Sequence, residues 1–532
     1  MAGKMSRMED MSPLLLGIDM GTGSSKGVLC DPDGSIVATA SVARPQSLQL
    51  PRPGWAEVDP VGVWWADVVA LGHELAEKAG SRPIAGMCVS GVGPCLVLTD
   101  ESTVPVRAAI LYGIDMRATA EIDELTETLG AEAILARGGT ALSTQAVGPK
   151  ALWVQRHEPE VWSKARRWYN SSSFVVAKLT GEYVLDQHTA SQCDPGYDMA
   201  AQDWYRPWYD QIWAGLPAPR LVWPGQVVGI LTEAAAAETG LAAGIPVCAG
   251  TVDAWAEAFS AGVRRPGDLM LMYGSTMFFV QVAERTVPHP QLWSTVGVEP
   301  GTVTRAAGMS TSGSLTSWVR DLVGGAPFEQ LVAEAAAIPA GSDGLLILPY
   351  FAGERTPVFD ARARGVIAGL HLRHTRGHLF RAVYEAIGFG IRQILELLDD
   401  EADPIRRLVA VGGGTQGELW TQIVSDITGR PQQVPAQTIG ASYGDALLAG
   451  LGTGLVEPGT DWAVAARTIE PDQDRHRDYA ELYRAYGELY PATKSIVHEL
   501  ARRQERSSDG DISAPDAVTS ADRVGSVTGS QR

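Results

Sequence analysis

Twice in this chain a run of apolar residues stops at a short turn bearing Gly and Thr and restarts as a second strand, and no other feature limits the fold as much. The first instance reads LLLGID (14–19), a turn around GTGSS, the strand KGVLCD, the turn signal DPDG (31–34) and a third strand SIVATASV. Three strands joined by tight turns form an antiparallel meander. A helix is predicted over 61–79, then strands near 86–90 and 96–99, and strand-like and helix-like segments alternate from there on. That alternation predicts an α/β protein. The second instance, PGDLMLMYGSTMFFVQVA (266–283), matches the first in architecture and only weakly in letters. It implies a duplicated unit and two similar domains meeting near residue 265.

The expected organisation is a leader (1–12), a first domain (13–265), a second domain (266–502) and a tail (503–532). From about Gln504 the sequence is rich in Ser, Asp and Gly and poor in large apolar residues. Such a segment buries too little surface to offset its ordering entropy and is expected to be disordered.

The net charge of −19 argues against a nucleic-acid partner, which needs clustered Lys and Arg. It leaves room for an anionic nucleotide, because backbone N–H groups and a divalent cation hold phosphates without much basic side-chain charge. No apolar run approaches the ~18–20 residues that span a bilayer, and Asp19 interrupts the apolar patch near the start. The expectation is no membrane partner. Five scattered cysteines with no CxxC pair suggest neither zinc nor a disulfide framework, so a cytoplasmic setting is expected.

Three glycine-rich turns and one acid are candidates for chemistry. In the first turn, Gly21 and its neighbours let backbone approach an anion, Thr22 and Ser24 offer hydroxyls, Asp19 can hold a hydrated Mg²⁺ and Lys26 follows. A plain hairpin would need the same glycines. The spacing is not that of a P-loop, and a strand rather than a helix follows. The second turn, Gly274-Ser275-Thr276, occupies the corresponding place in the second meander. Facing turns, one per domain, can grip a triphosphate between them. The third is Gly412-Gly413-Gly414-Thr415-Gln416, after the strand 406–411 and before apolar residues at helical spacing from Leu419 to Ile427. Strand, glycines and helix N-terminus make a nucleotide-docking geometry; close strand-to-helix packing accounts for one glycine but less readily for three. Asp253 follows the strand 245–250, with Thr251 the expected helix N-cap. Its first-turn position suits the macrodipole without any catalysis, yet an ionised carboxylate there is also what a hydroxyl nucleophile needs as general base.

From about Leu14 to Leu500 these segments resemble the FGGY family of carbohydrate kinases, of the actin-like ATPase superfamily. GIDMGTGSSKGVL is similar to the family's first phosphate motif, MYGSTMFF to its second, and GGGTQGELWTQIVSDITGRP to its adenosine motif. PGWAEVDPVGVWW and GERTPVFDARARGVIAGLHLRHTRGHLFRAVYEAIGFGI are similar to further family segments. AGTVDAWAEAFSAGV matches the stretch with the catalytic Asp, which falls on Asp253. The resemblance implies two ribonuclease-H-like domains around a central cleft, with ATP and Mg²⁺ as cofactors and a small-molecule sugar as substrate. It implies Asp253 as base, Asp19 at the metal, Gly21, Thr22, Ser24, Lys26, Gly274, Ser275 and Thr276 at the phosphates, and Gly413, Gly414 and Gln416 at the adenosine. A homodimer is an expectation borrowed from similar kinases.

The substrate-side segments depart from the family. Ser90-Gly91-Val92-Gly93-Pro94 stands where xylulokinases carry Gln-Met-His and glycerol kinases Gln-Arg-Glu. The Trp-x-Asp-x-Arg segment reads LYGIDMRA, keeping Asp115 and Arg117 but placing Gly113 at the Trp. Gly93, Pro94, Asp115 and Arg117 are carried as candidate sugar-side residues with Asp253. A ketopentose such as xylulose is the family-weighted substrate. A polyol kinase of the glycerol or erythritol type, or a non-catalytic sugar or nucleotide-binding regulator on the same fold, are the alternatives. The histidines His371, His374 and His378 read as packing or surface residues rather than ligands.

Overall fold

The computed structural model describes residues 12–44, 48–401, 403–437 and 439–511. The first sheet collects β1 (Leu14–Met20), β2 (Ser24–Cys30), β3 (Ile36–Ala43), β4 (Ile84–Gly91), β5 (Val227–Ile230) and β6 (Pro246–Cys248) in the order β5-β6-β4-β1-β2-β3. The meander β1-β2-β3 is antiparallel, while β1-β4 and β4-β6 are parallel and β5 returns antiparallel. The strand β1 is buried along almost its whole length, which explains its continuous apolar run.

The second sheet repeats this plan. It contains β7 (Asp268–Tyr273), β8 (Met277–Ala283), β9 (Trp293–Val296), β10 (Val303–Met309), β11 (Arg407–Val411), β12 (Gln432–Pro435) and β13 (Ala465–Ile469), ordered β9-β10-β8-β7-β11-β12-β13. The strands β7, β8 and β10 form the antiparallel meander, β7-β11 and β11-β12 are parallel, and β13 closes antiparallel. The two sheets match strand for strand in direction, apart from one added edge strand, so the duplicated unit read from the two hairpins is present, and its plan agrees with the ribonuclease-H-like domains that the resemblance implies. Even the turns correspond: Gly21 N donates to Ser24 O at 3.1 Å, and Gly274 N to Thr276 O at 3.2 Å.

The helices α1 (Ala66–Ala79), α2 (Val147–His157), α3 (Asp253–Ser260), α4 (Arg376–Leu398), α5 (Glu418–Thr428), α6 (Ala441–Thr453) and α7 (Gln473–Asp511) cover or connect these sheets. The helix expected over 61–79 begins with a wider π-helical turn, Pro60–Trp65, capped by the Asp59 carboxylate. Although it follows the second sheet's β12 in sequence, α6 lies against β1 and β4 of the first sheet and against α3. That crossing requires glycine on both sides. A Cβ on Gly17 would lie 1.9 Å from Ser442 O, and one on Gly444 2.1 Å from Ala256 O.

In α4, Thr375 and His378 form a capping box, and His378 also reaches Asp343, so this histidine holds a helix start. The closing helix α7 continues to Asp511, so residues 503–511, expected in the disordered tail, extend it. Residues 1–11 of the leader and 512–532 of the tail lie outside the described residues.

Candidate active site

Two cavities meet between the sheets. One, of about 240 Å³, is lined by Val92, Gly93 and Tyr112, by α3's Asp253, and from the second half by Thr276, Phe278, Trp293 and Arg355. The other, of about 320 Å³, is lined by Asp19, Lys26, Glu257, Gly274, Gly412, Gly413, Thr415 and Gln416. Met272, near the end of β7, borders both. The first is a mixed apolar and polar chamber; the second is a glycine-lined groove.

Local sequence places the acids. Asp19 is near the C-terminal end of β1, and Lys26 is its cross-strand partner on β2, so the spacing of the first motif is a hairpin register. The Oδ1 of Asp19 is buried with no hydrogen-bond partner among the described residues. Burial first, then the charges of Asp253, Asp445 and Glu257, push its carboxyl well above the ordinary range, with Lys26 opposing. Asp253 opens α3 and is half-buried; among the described residues its Oδ1 accepts only the adjacent Ala254 N–H, at 2.8 Å. Burial raises it to about 6. Glu257, one helical turn later on α3, is raised to about 7 by burial and by Asp253. Asp445 of α6, fully buried, is raised to about 8 by burial even though Ser90 Oγ donates to it at 2.5 Å. Four acids converging with one lysine make a site short of positive charge, as a cation-assisted phosphate site is before loading. Among the described residues no three His, Cys, Asp or Glu side chains are grouped as a protein-only metal cage. A hydrated ion held by one carboxylate and by phosphates needs no such cage.

Several expected residues sit elsewhere. Among the described residues lining these cavities, Gly21, Thr22 and Ser24 are not found; the turn closes on itself, and Thr22 Oγ1 pairs with Tyr112 OH at 3.2 Å. In the second turn only Gly274 reaches the groove. Thr276 faces the chamber instead, and the carbonyl of Ser275 accepts from Ser312 N and Ser314 N. The three glycines after β11 divide the work. Gly412 has φ +90° and a Cβ there would meet Tyr273 O at 2.7 Å. Gly413 has open space, whereas a Cβ on Gly414 would lie 2.6 Å from the Trp420 ring. Gly414 is therefore a packing glycine beneath Trp420 and Tyr273, away from the groove wall. Gly413 and Gly414 lie within a 3₁₀ turn, Gly413–Gln416, and α5 begins only at Glu418, so the helix does not start at the glycines as the motif suggested.

On the sugar side, Gly93 lines the chamber and Pro94 does not. Asp115 and Arg117 are committed to one another: Arg117 Nη2 donates to Asp115 Oδ2 at 2.7 Å, and its Nη1 donates to Glu57 Oε1 at 2.7 Å. Asp115 also accepts from Ala56 N, and Arg117 stacks over Trp55, so the pair is a buried strut away from the chamber. The place of the family's Trp is filled by Gln145, whose Oε1 accepts from Gly113 N at 2.8 Å. Val252, not Thr251, precedes the first helical residue; Thr251 Oγ1 donates instead to Asp186.

Sequence reasoning passed over Glu257, Asp445 and Arg355. The i, i+4 spacing of Asp253 and Glu257 was a usable signal. The lone acid in GASYGDALLAG was another, since a run of small residues with one carboxylate marks a helix crossing with a polar purpose.

Family models match both halves of the chain. The N-terminal domain of the FGGY family of carbohydrate kinases matches residues 14–260 and its C-terminal domain residues 269–453. A xylulose kinase from Bacillus subtilis is 29% identical over 494 residues, spanning 91% of this chain and 97% of its own. A glycerol kinase from Renibacterium salmoninarum is 28% identical over 478 residues, 85% of this chain and 93% of its own. The crystal structure of xylulose kinase from Rhodospirillum rubrum, 34% identical, superposes with a TM-score of 0.83 over 91% of this chain and 100% of that one. With the paired sheets, the groove and the acid-lined chamber, these matches place the chain in the FGGY family of carbohydrate kinases, with the actin-like ATPase fold.

Proposed function

We propose that this sugar kinase transfers the γ-phosphate of ATP to a hydroxyl of a ketopentose such as xylulose, with Asp253 as the general base. The observation that carries the reading is Asp253's position: its carboxylate lines the chamber that adjoins the glycine-lined groove at Met272. The xylulose kinases among its relatives supply the sugar. The glycerol kinase relative keeps a polyol as the second reading.

Family membership implies ATP as donor and typically a divalent metal. The orphaned Oδ1 of Asp19 and the surplus of acids fit a hydrated Mg²⁺. When bound, Mg²⁺ supplies charge neutralisation at the β- and γ-phosphates. Asp19 would hold it through water, Lys26 and the Gly274 backbone would steady the phosphates, and Gly413 and Gln416 would face the adenosine. The acceptor hydroxyl then lies against Asp253, which takes its proton as the phosphoryl group arrives. The chamber's apolar wall, Val92, Phe278 and Trp293, excludes water that would compete as acceptor. The same reading divides the chain near residue 265 into a sugar-side and an adenosine-side domain.

The test is ADP release, followed by a coupled assay, across ketopentoses, ketohexoses, glycerol and erythritol. The highest kcat/KM is expected for D-xylulose. Preference for glycerol by tenfold or more would replace the pentulose reading with the polyol one.

A further inference from the structure

On the chamber wall the carboxyl of Asp194 finds no partner among the described residues: Asp194 is 4% exposed, and its buried Oδ1 accepts no hydrogen bond from them. The Nε of Arg355 is also unpaired there, but that guanidinium is held through Nη2, which donates to Met309 O at 2.7 Å. The polar neighbours of Asp194 on the wall are already committed. Thr140 donates to Ser294 O, Gln145 accepts from Gly113 N, Gln192 pairs with His188, Ser191 donates to His188 O, and Thr295 pairs with Thr304. Leaving a carboxyl buried and unpaired is costly, and burial alone drives Asp194 well above the ordinary carboxylate range. Such groups persist at sites where a ligand completes them.

The backbone around Asp194 is shaped to admit it. A Cβ on Gly138, at the end of the helix Ala131–Gly138, would lie 2.3 Å from Asp194 Oδ1, and one on Gly148 of α2 would lie 2.6 Å from Asp194 O. Neither glycine has a positive φ. What excludes a side chain at each is the space Asp194 takes up. Asp194 comes to the chamber wall beside Gly138 and Gly148, whereas Asp253 comes to it from the start of α3, so the two carboxyls belong to different parts of the wall.

Resting on the kinase reading above, we infer that Asp194 is a specificity-determining residue that hydrogen-bonds the acceptor's other terminal hydroxyl, the one that does not meet Asp253. A carboxyl in this setting both donates to and accepts from a hydroxyl, so it selects acceptors that carry one there. It takes no part in phosphoryl transfer.

The experiment compares the full-length wild type with Asp194→Leu and Asp194→Ala. The acceptors are D-xylulose and its analogue deoxygenated at the terminal carbon remote from the phosphorylated one (1-deoxy for transfer to O5, 5-deoxy for transfer to O1). A site built around a substrate hydroxyl discriminates strongly against its loss, so the wild type is expected to favour xylulose by about 10²-fold or more in kcat/KM. Both variants should collapse that ratio towards unity with ATP KM unchanged. An undiminished ratio in either variant overturns the assignment. Without any acceptor, Asp194→Leu should unfold at a higher temperature than wild type, because an unpaired buried carboxyl has been removed. Should both variants unfold at a lower temperature, the carboxyl has a structural role and the inference fails. If the wild type prefers another acceptor, the pentulose reading fails by itself. The ratio is then read on that acceptor and its matching deoxy analogue, and the thermal result stands in either case.

Discussion

At the residue scale the proposed reaction turns on how one carboxylate is kept both basic and available. Among the described residues Asp253 accepts only the N–H of Ala254, the next residue of its own helix, and it lines the chamber. Asp253→Asn preserves that cap-like contact and removes the base. It is expected to lower kcat by about 10²–10⁴-fold, as loss of general-base catalysis does. ATP affinity, measured by calorimetry, should change little, because the groove wall is untouched. Wild-type turnover in this variant would remove Asp253 from the mechanism. The pH dependence follows with a definite sign. Burial raises the acid to about 6, so it binds a proton at higher pH than a free carboxylate. The active, ionised form is lost as pH falls through that value, and log kcat/KM should decline with unit slope below it. A limb near the ordinary carboxylate value of about 4 would mean that Asp253 is solvated in the free enzyme.

At the element scale the glycines separate two effects that the sequence could not. The motif Gly412-Gly413-Gly414 looks like a single anion cradle, but the three positions answer to a left-handed turn, an open wall and a ring stacked against backbone. Gly413→Val is expected to raise the KM for ATP several-fold with thermal stability nearly unchanged. Gly414→Val should instead lower the unfolding midpoint, since overpacking against Trp420 costs about 1–3 kcal/mol. Equal effects of the two on ATP KM would contradict this division. The same lesson explains what was legible. The strands, hairpin registers and Asp253 at a helix start followed from apolar runs, turn residues and macrodipole logic, all of them local in sequence. Asp115 and Arg117 were carried from the resemblance of LYGIDMRA to a family segment, and only the fold shows them spent on each other and on Glu57 and Trp55. Asp194 was invisible for the converse reason. Its meaning lies in partners it lacks, and in Gly138 and Gly148 from other elements.

At the scale of the whole molecule, the two cavities are mechanically joined. The helix α3 presents Asp253 to the chamber and Glu257 to the groove, and α6 packs on α3 and on β1, which carries Asp19. Met272 of the second sheet lines both spaces. The chamber takes Gly93 and Asp253 from the first half and Thr276, Trp293 and Arg355 from the second, so an acceptor bound there would bridge the halves and favour the arrangement in which the groove is also complete. Nucleotide and sugar should therefore bind with positive coupling. A non-hydrolysable ATP analogue is expected to tighten the acceptor's Kd by at least about fivefold, and by linkage the acceptor must tighten the analogue by the same factor. Calorimetric titration in both orders measures the two factors, and their equality checks the measurement itself. Met272→Ala, which removes the side chain common to both walls while leaving the acids in place, should reduce the factor more than it weakens either ligand alone. A coupling factor of one in the wild type would mean that the halves are already fixed in their reactive arrangement. Water would then have to be excluded from the phosphoryl group by the chamber wall alone.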